Sequence, residues 1–315
     1  MKILIVNFDH LGDVVFSSYI ADAISRWKPS SKIDVLCSSY TKEIATCYPG
    51  VNEIYHLIPP WRSIFKQRKG RLGDFINVMK GIREIKYDLM ICASPHWKDV
   101  LAARITRAER HIGFAKRFFV LPLLSTSCNF PEEDEPIMEA MHRLVKATFP
   151  DIPEEKPRYR LVPKHFKAPA EDLHIVLHPF SADTRRTWPL ENWILLADQL
   201  RKKFPLRWIG SQAELENLQG MEKVPDDEIF FEKIRILDTI KLFANTRFFV
   251  GHNSGPTHIA CGLGLSGLAL YPRYTTRKYF PQGVGDFKVL ECGSMQDLKV
   301  EEVLAGVLES LAGST

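Results

Sequence analysis

The chain has 315 residues, 45% hydrophobic and 25% charged, which is globular composition with length for two domains. A formal net charge of +4 is small for that size and no basic tail accompanies it, so a nucleic-acid binder is not indicated. The six cysteines form no C-x-x-C pair and sit beside apolar or small residues, which predicts buried free thiols and argues against a zinc site or a disulfide framework.

Residues 2–6 form a continuous apolar run, the pattern of a central parallel strand. The run has neither the h-region nor the cleavage site of a leader. No apolar run approaches the ~20 residues of a membrane span. The expectation is a cytoplasmic protein, with contact at the inner face of a membrane left open. A turn with one glycine follows, and residues 14–24 then carry apolar side chains at helical spacing. The turn is not G-x-G-x-x-G, so no nicotinamide cofactor is indicated. Asp13 stands at the mouth of this helix. It serves equally well as a first-turn helix acid or as a catalytic carboxylate at the carboxyl end of the first strand.

Strands are predicted at 32–37 and 53–57, with a short helix over 41–47. Residues 62–71 then hold five cations, Arg62, Lys66, Arg68, Lys69 and Arg71, with Phe65 among them and Trp61 just before. Such a run is either a solvated segment or a loop that clamps an anionic substrate. A helix at 75–85, a strand at 88–93, a helix at 100–105 and a strand at 110–114 follow. Lys116 and Arg117 add to the positive face. Residues 128–136 read as an acidic loop and 137–149 as a helix. The proline-rich, charged stretch 150–172 is the candidate linker, dividing the chain into 1–155 and 156–315.

A second alternating series begins with a strand at 174–177. A helix over 190–204, a strand at 207–210, a helix after Glu214 and another over 236–244 follow. Residues 248–251 are β-prone and apolar, 252–258 form a polar turn, and the small residues after it predict a tightly packed helix. A strand at 267–271 and a helix at 303–311 close the chain; packing of that last helix back on the first half is left open. The pattern predicts two doubly wound α/β halves in tandem, with function in a cleft between them.

The polar turn is the most informative stretch. A strand feeding a glycine turn that opens a helix is where an α/β protein holds an anion, through unpaired N–H groups and the helix dipole. Ser254 supplies a hydroxyl, Gly255 permits close backbone approach, Pro256 suits a first helical turn, and His258 lies within reach. An ordinary N-capped helix with a surface histidine satisfies the same residues.

In this order and spacing, Leu11-Gly12-Asp13, His178-Pro179, Trp188-Pro189 with Trp193, and Ser254-Gly255-Pro256-x-His258-x-Ala260 resemble glycosyltransferase family 9, the heptosyltransferases of lipopolysaccharide core synthesis. The resemblance spans nearly the whole chain. It implies the GT-B architecture of two Rossmann-like domains, an acceptor held by the N-terminal half, and a nucleotide sugar, usually ADP-heptose, held by the C-terminal half. It also implies inversion at the anomeric carbon with no metal and no cofactor. Carried over, Asp13 matches the general base and Arg186 the cation on the donor phosphates. Ser181 matches a hydroxyl contact to those phosphates, and Glu214 the acid at the nucleoside ribose. Ile234 falls at the adenine pocket, and Asn253, Ser254, Gly255 and His258 at the pyrophosphate turn. Arg62, Lys66, Arg68, Lys69, Arg71, Lys116 and Arg117 would hold an anionic lipid-linked acceptor. The chain departs from the family at Asn253, usually aspartate, at Ala182, usually hydroxylated, and at Asn7, near a usual arginine. A nucleotide-sugar epimerase shares the architecture, and Asn253 is the sole support for a non-catalytic binding protein.

Overall fold

The apolar β-branched runs of the sequence become parallel strands, sorted by the chain into two sheets. The computed structural model describes residues 1–61, 69–164, 173–181, 183–211, 214, 224–225, 228–230 and 235–313. They divide into two units, Met1–Lys164 and His165–Thr315. The division falls later than residue 155 because Tyr159 and Leu161 are buried in the first unit, Tyr159 edge-on to Phe16 at 5.5 Å. The Val162 N–H also donates to the Cys47 carbonyl at 2.7 Å.

The first unit contains β1 (Lys2–Asn7), α1 (Leu11–Trp27), β2 (Lys32–Ser38), α2 (Lys42–Ala45), β3 (Val51–Leu57), α3 (Leu72–Glu84), β4 (Leu89–Cys92), α4 (Trp97–Arg104) and β5 (Arg110–Phe114). A 3-10 turn (Phe118–Leu123), β6 (Thr126–Cys128) and α5 (Ile137–Thr148) complete it. The six strands are parallel in the order β3-β2-β1-β4-β5-β6. β1 is buried from Ile3 to Asn7, as a strand covered on both faces must be. Winding reverses between β1 and β4, and that switch point is where an open α/β sheet leaves room for a ligand. β6 has only three residues, too few to carry a period, so the sequence reads as loop there.

The second unit contains β7 (His174–His178), a 3-10 turn (Thr184–Arg186), α6 (Leu190–Leu200), β8 (Leu206–Ile209), β9 (Ile229–Phe230), α7 (Ile236–Phe243) and β10 (Thr246–His252). α8 (Gly255–Gly262), β11 (Gly267–Pro272), α9 (Arg273–Tyr279), β12 (Phe287–Cys292) and α10 (Val300–Ala312) follow. Its sheet runs β12-β11-β10-β7-β8-β9, so winding reverses between β7 and β10. Each sheet therefore has the same order, counted from its own first strand. The core is built on Trp188, Trp193 and Trp208, all fully buried. The Trp188 and Trp208 indoles donate to the Leu298 carbonyl at 2.9 Å and to Glu228 at 3.1 Å. α10 places Val303, Val307 and Leu311 in this same core. Gly267 opens β11 because a Cβ there would meet the Phe287 ring at 2.5 Å and the Phe249 carbonyl at 2.8 Å. The fold class is α/β, two Rossmann-like doubly wound units of the GT-B class. All six cysteines are free and buried.

Candidate active site

In the first unit the turn between β1 and α1 is locked by Asn7. This side chain is buried at the strand end; its Nδ2 donates to the Asp13 carbonyl at 3.2 Å and to Ser17 Oγ at 3.0 Å, and its Oδ1 accepts from the Asp9 N–H at 2.9 Å. Ser17 Oγ lies 2.7 Å from the Tyr48 hydroxyl, which also donates to the Val14 carbonyl. Asp13 thus sits half-buried in the first turn of α1, on an anchored backbone, at the carboxyl end of the central strand. Sequence reasoning treats Asn7 as a departure; here it is the residue that fixes the turn.

A second anchor stands at the end of β4. Asp99 is fully buried; its Oδ1 accepts from the Trp61 indole at 2.8 Å and its Oδ2 from Ser94 Oγ at 2.8 Å. Trp61 packs edge-on to Phe8 at 6.2 Å and Phe75 at 5.2 Å. The basic segment therefore leaves a fixed tryptophan. Lys69, Arg71, Lys116 and Arg117 are exposed, following β3 and β5 at their carboxyl ends. Arg62, Lys66 and Arg68 lie outside the described residues.

In the second unit three groups converge on the switch point. β7 and β10 pair with Gly251 opposite His178, so the turns after both strands are neighbours. Ser254 occupies the N-cap position of α8 but makes no side-chain cap. Its Oγ instead lies 3.2 Å from His178 Nδ1 and 3.2 Å from Thr257 Oγ1, and Thr257 Oγ1 donates to the His252 carbonyl. The ordinary capped-helix reading is therefore not what the fold builds: the first N–H groups of α8 receive no cap from Ser254. Asn253 is buried beside them, and among the described residues its Nδ2 has no hydrogen-bond partner. Two kinds of donor thus meet where the helix dipole is positive.

Three buried imidazoles back this turn. His252 Nε2 accepts the Trp188 N–H at 3.0 Å, which puts its proton on Nδ1, and the ring stands edge-on to Trp193 at 5.2 Å. Burial pushes His178, His252 and His258 each down to about 3. All three are neutral at pH 7, so His258 brings no charge to the turn. The charge comes from Arg186, in the 3-10 turn between β7 and α6. Its Nε lies 3.5 Å from Asp183 Oδ2, while Arg185 takes the closer bonds to that carboxylate, Nε to Oδ1 at 3.0 Å and Nη2 to Oδ2 at 2.8 Å. Those Arg185 bonds hold Asp183 down at about 2. The loop carrying Arg186 is tied to β10 through Trp188 and His252.

Ser181 lies half-buried just past β7. Glu214 closes a reciprocal cap: Ser211 N–H and Oγ donate to Oε2 at 2.7 and 2.8 Å, and the Glu214 N–H faces Ser211 Oγ at 3.3 Å. Ile234 and Ala182 lie outside the described residues. Among the described residues no group of three or more His, Cys, Asp or Glu is placed to hold a metal, and no helix is long and apolar enough to cross a membrane.

The model of glycosyltransferase family 9 (heptosyltransferase) matches residues 75–300. The chain is 20% identical over 278 residues to lipopolysaccharide heptosyltransferase 3 of Escherichia coli, covering 82% of this chain and 80% of that one. The family 9 glycosyl transferase from Veillonella parvula DSM 2008 superposes with a TM-score of 0.83 at 16% identity, over 99% of this chain and 97% of that one. The E. coli heptosyltransferase WaaC with ADP-2-deoxy-2-fluoro heptose gives 0.77 at 18% identity, over 98% and 99%.

Proposed function

Because the chain belongs to glycosyltransferase family 9 and is a glycosyltransferase, we propose that it moves a heptose from ADP-heptose to a lipopolysaccharide-core or related glycan acceptor, with inversion, without a metal and without a further cofactor. The second unit binds the donor and the first unit the acceptor, on the cytoplasmic side of the membrane. The donor assignment draws on the relative crystallised with an ADP-heptose analogue. One observation carries it: the N-terminus of α8, which Ser254 leaves without a side-chain cap, lies beside the Nδ2 of Asn253, which has no partner among the described residues, at the switch point of the second sheet.

Glycosyl transfer puts positive charge on the anomeric carbon and negative charge on the departing diphosphate. Arg186, the first N–H groups of α8, Asn253 and Ser254 stabilise that leaving group, with donors fixed before the reaction begins. Ser181 adds a hydroxyl, and Glu214 and Ile234 take the nucleoside. The acceptor hydroxyl attacks the carbon as its proton passes to Asp13, and the bond to the diphosphate breaks on the opposite face. Lys69, Arg71, Lys116 and Arg117, with Arg62, Lys66 and Arg68, hold the acceptor's anionic groups.

The test is a thermal-shift series with ADP-, GDP- and UDP-sugars, followed by transfer assays with and without EDTA and by NMR of the product anomer. Selective stabilisation by ADP-heptose and EDTA-insensitive transfer with inversion are expected. Stabilisation by another nucleotide sugar alone removes the heptose assignment. Binding of ADP-heptose with no transfer to any lipid acceptor favours a non-catalytic protein.

A further inference from the structure

The 3-10 turn after β7 carries two adjacent arginines and one aspartate, and the three do not share their charges evenly. Asp183 stands at the N-cap of the turn, and its Oδ1 accepts the Arg185 N–H at 3.1 Å. Arg185 then folds back on the same carboxylate with the side of its guanidinium, Nε on Oδ1 at 3.0 Å and Nη2 on Oδ2 at 2.8 Å. Such a two-point fork is the geometry in which an exposed ion pair holds. A second element keeps it there: the Arg185 guanidinium lies 6.0 Å from the ring centroid of Tyr274, on α9.

Arg186 is placed differently. Its side chain is 28% exposed, against 77% for Arg185. Burial pushes the Tyr271 phenol up, and the Arg186 charge is near enough to act against it, which puts Arg186 toward the carboxyl end of β11. Its Nε is buried and makes no hydrogen bond among the described residues, although Asp183 Oδ2 is 3.5 Å away. The carboxylate is therefore within reach of both arginines and bonded to one. An acceptor this close to an unbonded donor competes with any anionic ligand for it. What holds Asp183 back is that Arg185 already occupies both of its oxygens.

We propose that Arg185 is a positioning residue for donor binding: by taking up Asp183 it leaves Arg186 to the diphosphate of the nucleotide sugar. The proposal rests on the assignment of Arg186 to that diphosphate. Arg185 itself touches no phosphate, so its contribution exists only while residue 183 carries a negative charge.

The experiment is a double-mutant cycle read by calorimetric titration of the full chain with ADP. Arg185→Ala should weaken ADP binding roughly three- to fivefold, because Asp183 then pairs with Arg186. Asp183→Asn keeps the cap acceptor but removes the competing charge, and should tighten ADP binding about two- to fivefold. In the Asp183→Asn background, Arg185→Ala should change the affinity by less than about twofold. Tyr274→Ala, on a different element, loosens Arg185 and should weaken ADP binding by about twofold, again only where Asp183 is present. A general loosening of the turn weakens binding in every variant and cannot produce tightening in Asp183→Asn. If Arg185→Ala weakens ADP as much in the Asp183→Asn background as alone, Arg185 contacts the phosphates directly and the proposal is overturned; weaker binding by Asp183→Asn overturns it too. Arg186→Ala is titrated alongside. If it loses affinity while the cycle shows no coupling, only this inference falls; if its Kd is unchanged, the diphosphate assignment falls with it.

Discussion

The two sheets share one strand order but furnish their switch points oppositely. At the end of β1 stands a carboxylate on a turn stapled by a neutral amide, Asn7, and hydroxyls, Ser17 and Tyr48. At the ends of β7 and β10 stand three neutral imidazoles, an uncapped helix and a guanidinium. A proton acceptor suits the first and an anion the second. One topology therefore delivers opposite electrostatics, because a switch point supplies room and direction while the side chains supply chemistry.

Asp13→Asn is the largest expected break in this contrast. Turnover should fall about 10²–10⁴-fold while ADP affinity stays within roughly twofold, as expected if the carboxylate takes the acceptor's proton, as proposed, and the donor is bound by the other unit. Steady-state transfer and ADP titration check it; near-normal turnover removes the base assignment.

Acid should separate the units next. The second unit holds four histidines pushed down by burial, His174 to about 4 and His178, His252 and His258 to about 3. The first unit holds His111, down to about 4, and the more exposed His56, also lowered. Each folded value lies below the unfolded one near 6.5, so the unfolded chain takes up the proton first. Stability is then fully present above about pH 6.5 and declines as pH falls toward the folded values, by up to about 1.4 kcal/mol per pH unit per imidazole. The paired carboxylates of the first unit, such as Glu155 with Arg26, are held below the ordinary glutamate range and act lower still. Tryptophan fluorescence reports the difference, because Trp188, Trp193 and Trp208 are fully buried in the second unit whereas in the first Trp27 and Trp97 are exposed and Trp61 is half-buried. An equal denaturation midpoint for the buried tryptophans at pH 7.5 and pH 5.5 would refute it.

Arg186→Ala should weaken ADP binding roughly 10- to 100-fold, the loss of one charge-assisted contact, and leave the acid response in place. Calorimetric titration measures it, and an unchanged Kd withdraws the phosphate role. The smallest effect is expected from Asn253→Asp, which exchanges a donor for a negative charge at the proposed diphosphate site. ADP affinity should drop about fivefold; tighter binding would mean that this side chain faces the sugar.

Much of the fold is legible in the chain. β1, β4, β7 and β10 are apolar runs because they are buried on both faces, and the strand–turn–helix from β10 into α8 shows its turn chemistry directly. The edge strands β6, β9 and β12 escape, two of them being very short. Strand β12 alternates too weakly to declare itself, being half-covered at the sheet margin. α9 escapes because Arg273 to Tyr279 carries no apolar period. Of the candidate site residues, Asp13 and Ser254 stand out from local context, and Arg186 only through the family resemblance. The supports do not: Ser254 meets His178 across 76 residues, Trp188 meets His252 across 64, and Trp61 meets Asp99 across 38.

By itself the sequence determined the two α/β halves and the family and marked the candidate turns, since periodicity, glycine placement and short motifs act over a few residues. Only the tertiary structure decided that Ser254 leaves α8 uncapped and that His258 is neutral. Burial and hydrogen-bond partners arise from pairings between strands far apart in the chain, and no local window contains both partners.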